Sequence, residues 1–313
     1  MIIYILRRLG ATLIVMGLVG LMVFVLLHLA PGDPAAVIAG DNATPEQIAQ
    51  LRQMLGLDDP LPVQFLRWMG DVVQGDLGVS IYSNEPVAQL IMQRMEATVS
   101  LAIATLAFAV PIAIAFGVIA AHRAGTTVDR ILMLFSVMGF SLPAFVLGYM
   151  LSWLFAIEWK LLPVQGFTPI SEGIWPWARN LILPSVTLGM TYTALIARIT
   201  RTSMLEVLSE DFIRTARAKG VAVPRILVKH ALRNAGVPIA TVIGIGIALL
   251  IGGVVVTETV FNIPGVGRLV VDAIARRDYP VIQGVILVFS GIYVFVNLAT
   301  DLSYTLIDPR IRY

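Results

Sequence analysis

Long apolar runs separated by polar stretches dominate the chain, and six of the runs are long enough to cross a bilayer as helices. They cover residues 9–30, 97–121, 131–157, 181–197, 237–256 and 281–306. The first holds 22 residues, about 33 Å of helix at roughly 1.5 Å per residue, against a hydrocarbon core of roughly 30 Å. The fourth is the shortest of the six. Pro111 and Pro143 fall inside the second and third runs, where neighbouring helices can satisfy the carbonyls that a proline frees. Arg7-Arg8 ahead of the first run could open a secretory signal, but the run is too long for the apolar core of one. Ala30-Pro31-Gly32-Asp33-Pro34 is also a poor cleavage site. The expectation is an uncleaved anchor.

Composition supports lipid as the solvent. Of 313 residues 58% are hydrophobic and 13% charged, against roughly 45–50% and about 25% in an ordinary soluble domain. The formal charge of +2, with no dense basic cluster, argues against a nucleic-acid partner. With no cysteine, disulfides and thiolate metal sites are excluded. If the N-terminus faces the cytoplasm, fourteen of the 22 Lys and Arg lie on the cytoplasmic side and eight on the other. The positive-inside tendency therefore puts both termini in the cytoplasm. The expected fold class is an all-α integral membrane protein of six transmembrane helices. It divides into residues 1–30 (cytoplasmic N-terminus and first helix), 31–96 (an extracytoplasmic insert) and 97–313 (a five-helix core with a cytoplasmic loop at 198–236).

Two connections are longer than turns require. The 31–96 insert contains amphipathic stretches such as Pro45-Glu46-Gln47-Ile48-Ala49-Gln50-Leu51. It suits either a cap on the membrane surface or a docking surface for an outer partner. In the 198–236 loop, Asp211-Phe212-Ile213-Arg214-Thr215-Ala216-Arg217-Ala218-Lys219 has good helix formers with cations near its end, and Gly220 follows. Glycine there can take the left-handed cap conformation without a Cβ clash. Pro224 suits the first turn of a second helix, continuing through Arg225 to Arg233. The pattern predicts a helix–glycine–helix elbow on the cytoplasmic face. By itself it fits an interfacial amphipathic hairpin on anionic lipid as well as a protein contact.

Thr215-Ala216-Arg217-Ala218-Lys219-Gly220, ten residues before His230-Ala231-Leu232-Arg233, resembles the EAA-type cytoplasmic loop of binding-protein-dependent ABC transporter permeases. More narrowly, it resembles the peptide/nickel (dipeptide/oligopeptide) family in its B-type subunit. The likeness continues in order along the chain. It takes in Tyr4-Ile5-Leu6-Arg7-Arg8-Leu9, Gly32-Asp33-Pro34, Leu55-Gly56-Leu57-Asp58 and Gly75-Asp76-Leu77-Gly78-Val79-Ser80. Pro264-Gly265-Val266-Gly267-Arg268, Arg277-Asp278-Tyr279-Pro280 and Asp308-Pro309-Arg310 complete it. Arg214 and Thr215 depart from the leading Glu-Ala of the general pattern, and Arg233 stands where proline is common.

The resemblance implies a type I ABC importer permease fold in a bacterial inner membrane. It also implies four kinds of partner: a homologous second permease subunit, two ABC ATPase subunits, an extracytoplasmic solute-binding protein and the lipid bilayer. ATP and Mg²⁺ would sit on the ATPases, with no cofactor or metal bound by this chain. The absence of a G-x-x-x-x-G-K-[ST] loop agrees with that division, and no catalytic constellation of a membrane enzyme is apparent. The elbow would couple to an ATPase through Asp211, Phe212, Arg214, Ala216, Arg217, Ala218, Lys219 and Gly220.

The spans supply pathway or gating candidates. Ala240, Gly244, Ala248 and Gly252 recur every four residues as a small-residue stripe, suited either to ordinary close packing or to a sliding pathway helix. Glu258 could line the pathway mouth or pair with Arg268. Asp301 lies in the sixth run, where a charge at the bilayer centre costs roughly 2.5–3.5 kcal/mol. It suits a structural ion pair or a gate. Peptides, nickel complexes and glutathione are all carried by transporters that the chain resembles. His28 falls towards the outer face while His122 and His230 fall inside, so the three cannot share one Ni²⁺. Di- or oligopeptides are the expected substrate. The alternatives are nickel complexes or glutathione and, from another class, an ATPase-independent channel or facilitator.

Overall fold

A computed structural model describes residues 2–29, 34–39, 43–54 and 56–307. Gly32, Asp33, Leu55 and the Asp308-Pro309-Arg310 motif lie outside the described residues. The described residues are helical apart from loops and one isolated bridge, Val79 to Pro86. In chain order the helices are α1 (Ile2–Leu29), α2 (Pro34–Ala39), α3 (Pro45–Met54), α4 (Leu61–Val73), α5 (Val87–His122), α6 (Thr127–Ser141) and α7 (Ala144–Leu151). After them come α8 (Ile174–Leu208), α9 (Asp211–Ala218), α10 (Val223–Arg225), α11 (Gly236–Val260), α12 (Val266–Arg276) and α13 (Tyr279–Ile307). Four of these, α5, α8, α11 and α13, are long and apolar enough to cross a membrane. The count rises to five if α6 and the helical stretch after it form one bent span. The apolar stretch Gly10–Val25 lies within α1.

The chain forms two compact units, one of residues 94–268 and 293–313, the other of residues 2–93 and 269–292. In the first, α8 is the central element and packs against α6, α7 and α11. Its apolar window is 67% buried, against 22% for α5 and 33% for α11. The length of α8 corrects the sequence reading of the fourth run, which stopped at residues 181–197. The run was bounded by apolarity alone, and α8 continues beyond it through Arg179 and Asn180 at one end and Arg198, Arg201 and Glu206 at the other. Its enclosed middle carries Ser185, Thr187, Tyr192 and Thr193 on buried positions. The helix itself spans 35 residues.

The third run is not a continuous helix. Residues Thr127–Gly139 and Ala144–Glu158 are bent by 101° to each other. Leu142 is extended (φ −90°, ψ 131°) and Pro143 caps α7, because a proline disfavours helical geometry in the residue before it. The second arm closes as a π-helix, Ser152–Glu158. Trp153, Trp159 and Trp175 are exposed around its end and at the start of α8, the placement of an aromatic belt at a membrane–water boundary.

In the second unit, α4 packs on α1 through Phe65 and Trp68 against Phe24. Two motifs far apart in sequence meet there. The buried Asp278 accepts a hydrogen bond from the Ser80 hydroxyl at 2.5 Å and from the Ile81 N–H at 3.1 Å. Arg276 lies over the Tyr82 ring, 3.9 Å from its centroid. A carboxylate accepting both a hydroxyl and an N–H satisfies the polar groups of the turn, which fixes the segment ahead of α5 to the α12–α13 junction.

Candidate functional site

The elbow begins where α8 ends. After Ser209, Glu210 is extended, and α9 starts with the acidic Asp211 and ends with Arg217 in its last turn, in the sense that suits the helix dipole. Ile213 and Ala216, three residues apart, turn inward onto Met204, Ile226, Ala231, Ala235 and Ile239. The helix stops in a Schellman arrangement: the Val221 N–H donates to the Ala216 carbonyl at 3.1 Å and the Gly220 N–H to the Arg217 carbonyl at 2.9 Å. Gly220 has φ +72°, the left-handed region in which a Cβ is disfavoured, and Val221 packs on the same apolar cluster as Ala216.

The second limb opens with α10, in which Pro224 occupies the first turn. Instead of the plain α-helix expected through Arg233, Ile226–Leu232 is π-helical, with Ile226 and Ala231 facing the cluster. The wider turn brings these two side chains, five residues apart, onto one side.

This arrangement sorts the coupling candidates. Asp211, Phe212, Arg214, Arg217, Ala218, Lys219 and Gly220 are exposed. Asp211 and Arg214 form a solvent-exposed ion pair at 3.3 Å. Ala216 is a correction: it is buried, so it anchors the elbow from beneath instead of offering surface. The outward face combines cations with Phe212, Val223 and Val228, all exposed.

A partly buried ion pair ties α8, from which the elbow continues, to α6 of the same unit. Arg201 on α8 donates from Nε to Asp129 at 2.6 Å and from a terminal nitrogen at 2.7 Å. Asp129, at the start of α6, also accepts the Gly125 N–H at 2.9 Å. Sequence reasoning passed over this pair because each residue alone resembles a flanking charge. The signal available was an acidic residue in the first turn of a helix after Thr126.

The pathway candidates separate. Glu258 is fully buried and does not face an opening. It accepts the Thr98 hydroxyl at 2.6 Å and the Arg268 backbone N–H at 2.9 Å. Thr98 in turn accepts the Val266 N–H at 2.8 Å. The carboxylate therefore caps the N-terminus of α12, where free N–H groups and the helix dipole favour an anion. Its contact with Arg268 runs through the backbone, while the guanidinium reaches the Asn262 side-chain oxygen. Gly265 and Gly267 are needed for this turn, since a Cβ on either would run into the carboxylate.

The stripe on α11 is not one face. A step of four residues drifts by about 40° around an α-helix, so Ala240 and Gly252 look in different directions. Gly244 is buried against Thr300 of α13, Ala240 and Ala248 are half-buried, and Gly252 is exposed with no atom within 4 Å of a Cβ placed there. Close approach to α8 uses Gly246 and Gly253 instead, which meet Tyr192 and, at Gly253, Leu188. Seven residues apart, those two return to nearly the same face. Asp301 is half-buried on α13, next to Thr300. Among the described residues no three His, Asp or Glu side chains are grouped to hold a metal ion.

Comparison with known proteins gives matches over nearly the whole chain. Residues 113–313 match the family described as binding-protein-dependent transport system inner membrane component. Residues 1–102 match the N-terminal part of binding-protein-dependent transport system membrane components. The chain is 59% identical over 311 residues, 99% of both chains, to a protein of Sinorhizobium fredii named as a probable peptide ABC transporter permease, y4tP. It is 44% identical over 310 residues to the glutathione transport system permease protein GsiC of Escherichia coli K12, again covering 99% of each. Among solved structures, an inward-facing conformation of the MetNI methionine ABC transporter aligns with TM-score 0.55 and 17% identity. That match covers 70% of this chain and 97% of the other.

Proposed function

Because this chain belongs to the family of binding-protein-dependent transport system inner membrane components, we propose that it forms half of the membrane pathway of an ATP-driven importer for di- or oligopeptides. It is the non-catalytic, inner-membrane component of such a system. The observation that carries the peptide reading is the 59% identity, across 99% of both chains, to a permease named for peptides. The glutathione permease relative fits the same class, since glutathione is itself a tripeptide.

The remaining roles follow from that reading. A homologous permease subunit completes the pathway, an extracytoplasmic binding protein delivers the solute, and two ATPases carry ATP and Mg²⁺. Adding α1 and the bent pair to the four long helices makes six spans of a type I permease, with both termini cytoplasmic by the Lys and Arg distribution. The 31–96 segment is then extracytoplasmic, although α5 already begins at Val87. The elbow is the coupling element: Phe212, Arg214, Arg217, Ala218 and Lys219, with Asp211, meet an ATPase, and Gly220 sets the angle. On α11, Ala248 and Gly252 are assigned to the pathway side and Gly244 to packing against Thr300, while Asp301 on α13 is assigned a structural role.

Uptake in cells deleted for this chain tests the substrate. Accumulation of labelled di- or oligopeptide should fall to background and return on complementation. Unchanged peptide uptake together with lost Ni²⁺ uptake would overturn the peptide assignment in favour of a nickel complex.

A further inference from the structure

Helix α4 covers only part of its apolar surface. Gln64 pairs with the His28 ring at 3.2 Å, Phe65 and Trp68 stack around Phe24, and Met69 and Trp68 reach Gly20. As α4 advances from residue 64 to 69, its partners on α1 recede from 28 to 20, so α4 runs back alongside α1 instead of leaving it. Gly20 also neighbours Leu287, which lies eight residues into α13, about 12 Å of helix. Met69 thus sits at the depth of the membrane-spanning segments, not above their ends.

The uncovered side of α4 is apolar at that depth. Leu66 and Val73 are 68% and 80% exposed, with Leu61 and Val63 also exposed. Leu66 and Val73 are seven residues apart and share a face, with Pro62 one turn before Leu66. The polar edge is separate: Arg67 is held by Asp59 at 2.7 Å, and Asp71 and Gln74 continue it. Beside this helix α1 exposes Leu21, Met22, Val25 and Leu29, the side chains that a spanning helix turns to lipid. The apolar faces of α1 and α4 are therefore continuous, and soluble surfaces rarely expose so large an apolar patch.

We propose that α4 dips into the bilayer beside α1, with Leu66 and Val73 against acyl chains and the Arg67–Asp71 edge on the opposite, water-facing side of the helix. Its occupant is lipid. The segment between the first two spans is thereby anchored to the membrane instead of standing free of it.

The chain contains no cysteine, so single substitutions give unique labels within it. Leu66→Cys, Val73→Cys and Asp71→Cys would each carry an environment-sensitive fluorophore in the full assembly. The assembly would be reconstituted in phosphatidylethanolamine–phosphatidylglycerol vesicles, with signal from the unsubstituted assembly subtracted. A phospholipid bearing a nitroxide near the carbonyl end of its acyl chain should quench labels 66 and 73 severalfold more than label 71. Aqueous iodide should show the reverse order. Iodide quenching of 66 and 73 equal to that of 71 would overturn the proposal in favour of a water-exposed helix. Protection of 66 and 73 from both quenchers would overturn it in favour of a protein partner on this face.

Discussion

Asp129→Leu should sharply lower the yield of folded, assembled transporter, because it strands the Arg201 guanidinium in a site built for a carboxylate. The pair is bidentate, and its side chains are only 6% and 27% exposed. Removing one partner of a fully buried pair costs about 3–5 kcal/mol, and less where one partner keeps some solvent, as Arg201 does. Replacing both by apolar side chains of similar volume is often neutral. The double variant Asp129→Leu/Arg201→Met should therefore recover most of the loss. Recovery should remain incomplete, because Asp129 also accepts the Gly125 N–H, a bond of about 1 kcal/mol. Thermal unfolding of the purified assembly measures all three. Additive losses in the double variant would mean that the two residues do not stabilise each other.

Gly220→Val should spare assembly and damage transport. With φ at +72°, a residue carrying a Cβ loses roughly 1–2 kcal/mol in this conformation, and a β-branched one loses most. A Cβ there meets no atom within 4 Å, so the penalty is one of backbone conformation alone. The elbow relieves it by changing the angle between α9 and α10, which, on the proposed coupling role, misplaces Phe212 and the Arg217–Lys219 stretch against the ATPase. Uptake per assembled complex should fall severalfold in Gly220→Val and less in Gly220→Ala, with ATP hydrolysis poorly stimulated by loaded binding protein. Wild-type uptake per complex in both variants would assign the elbow to the lipid surface.

How far these features were legible depends on whether the signal was local. The elbow was, because a cap glycine, an N-terminal proline and a basic helix end each act within a few residues. The ends of α11 and α13 were also close to the apolar runs. The bend at Pro143 was not, since a proline inside an apolar run fits both a tolerated kink and a break. Pro111 remains inside a continuous α5 while Pro143 ends α6. The length of α8 was hidden because the helix runs on past the apolar segment through charged residues such as Arg179, Arg198, Arg201 and Glu206. The surroundings of Glu258 were not legible either. Its position at a span end suggested a pathway mouth or a pair with Arg268, but its partners, the Thr98 hydroxyl and the Arg268 backbone N–H, become neighbours only after folding. The Ser80–Asp278 contact likewise joins two recognisable motifs that nothing in either motif pairs.

Peptide uptake by a defined, reconstituted assembly addresses the central claim most directly. Vesicles holding this chain, the second permease and the ATPases, with ATP beside the ATPases and peptide-loaded binding protein on the other face, should accumulate labelled peptide. Omitting this chain or the ATPases should abolish accumulation, and this chain alone should hydrolyse no ATP. Peptide accumulation without the ATPases, or ATP hydrolysis by this chain alone, would contradict its assignment as the membrane component of an ATP-driven importer.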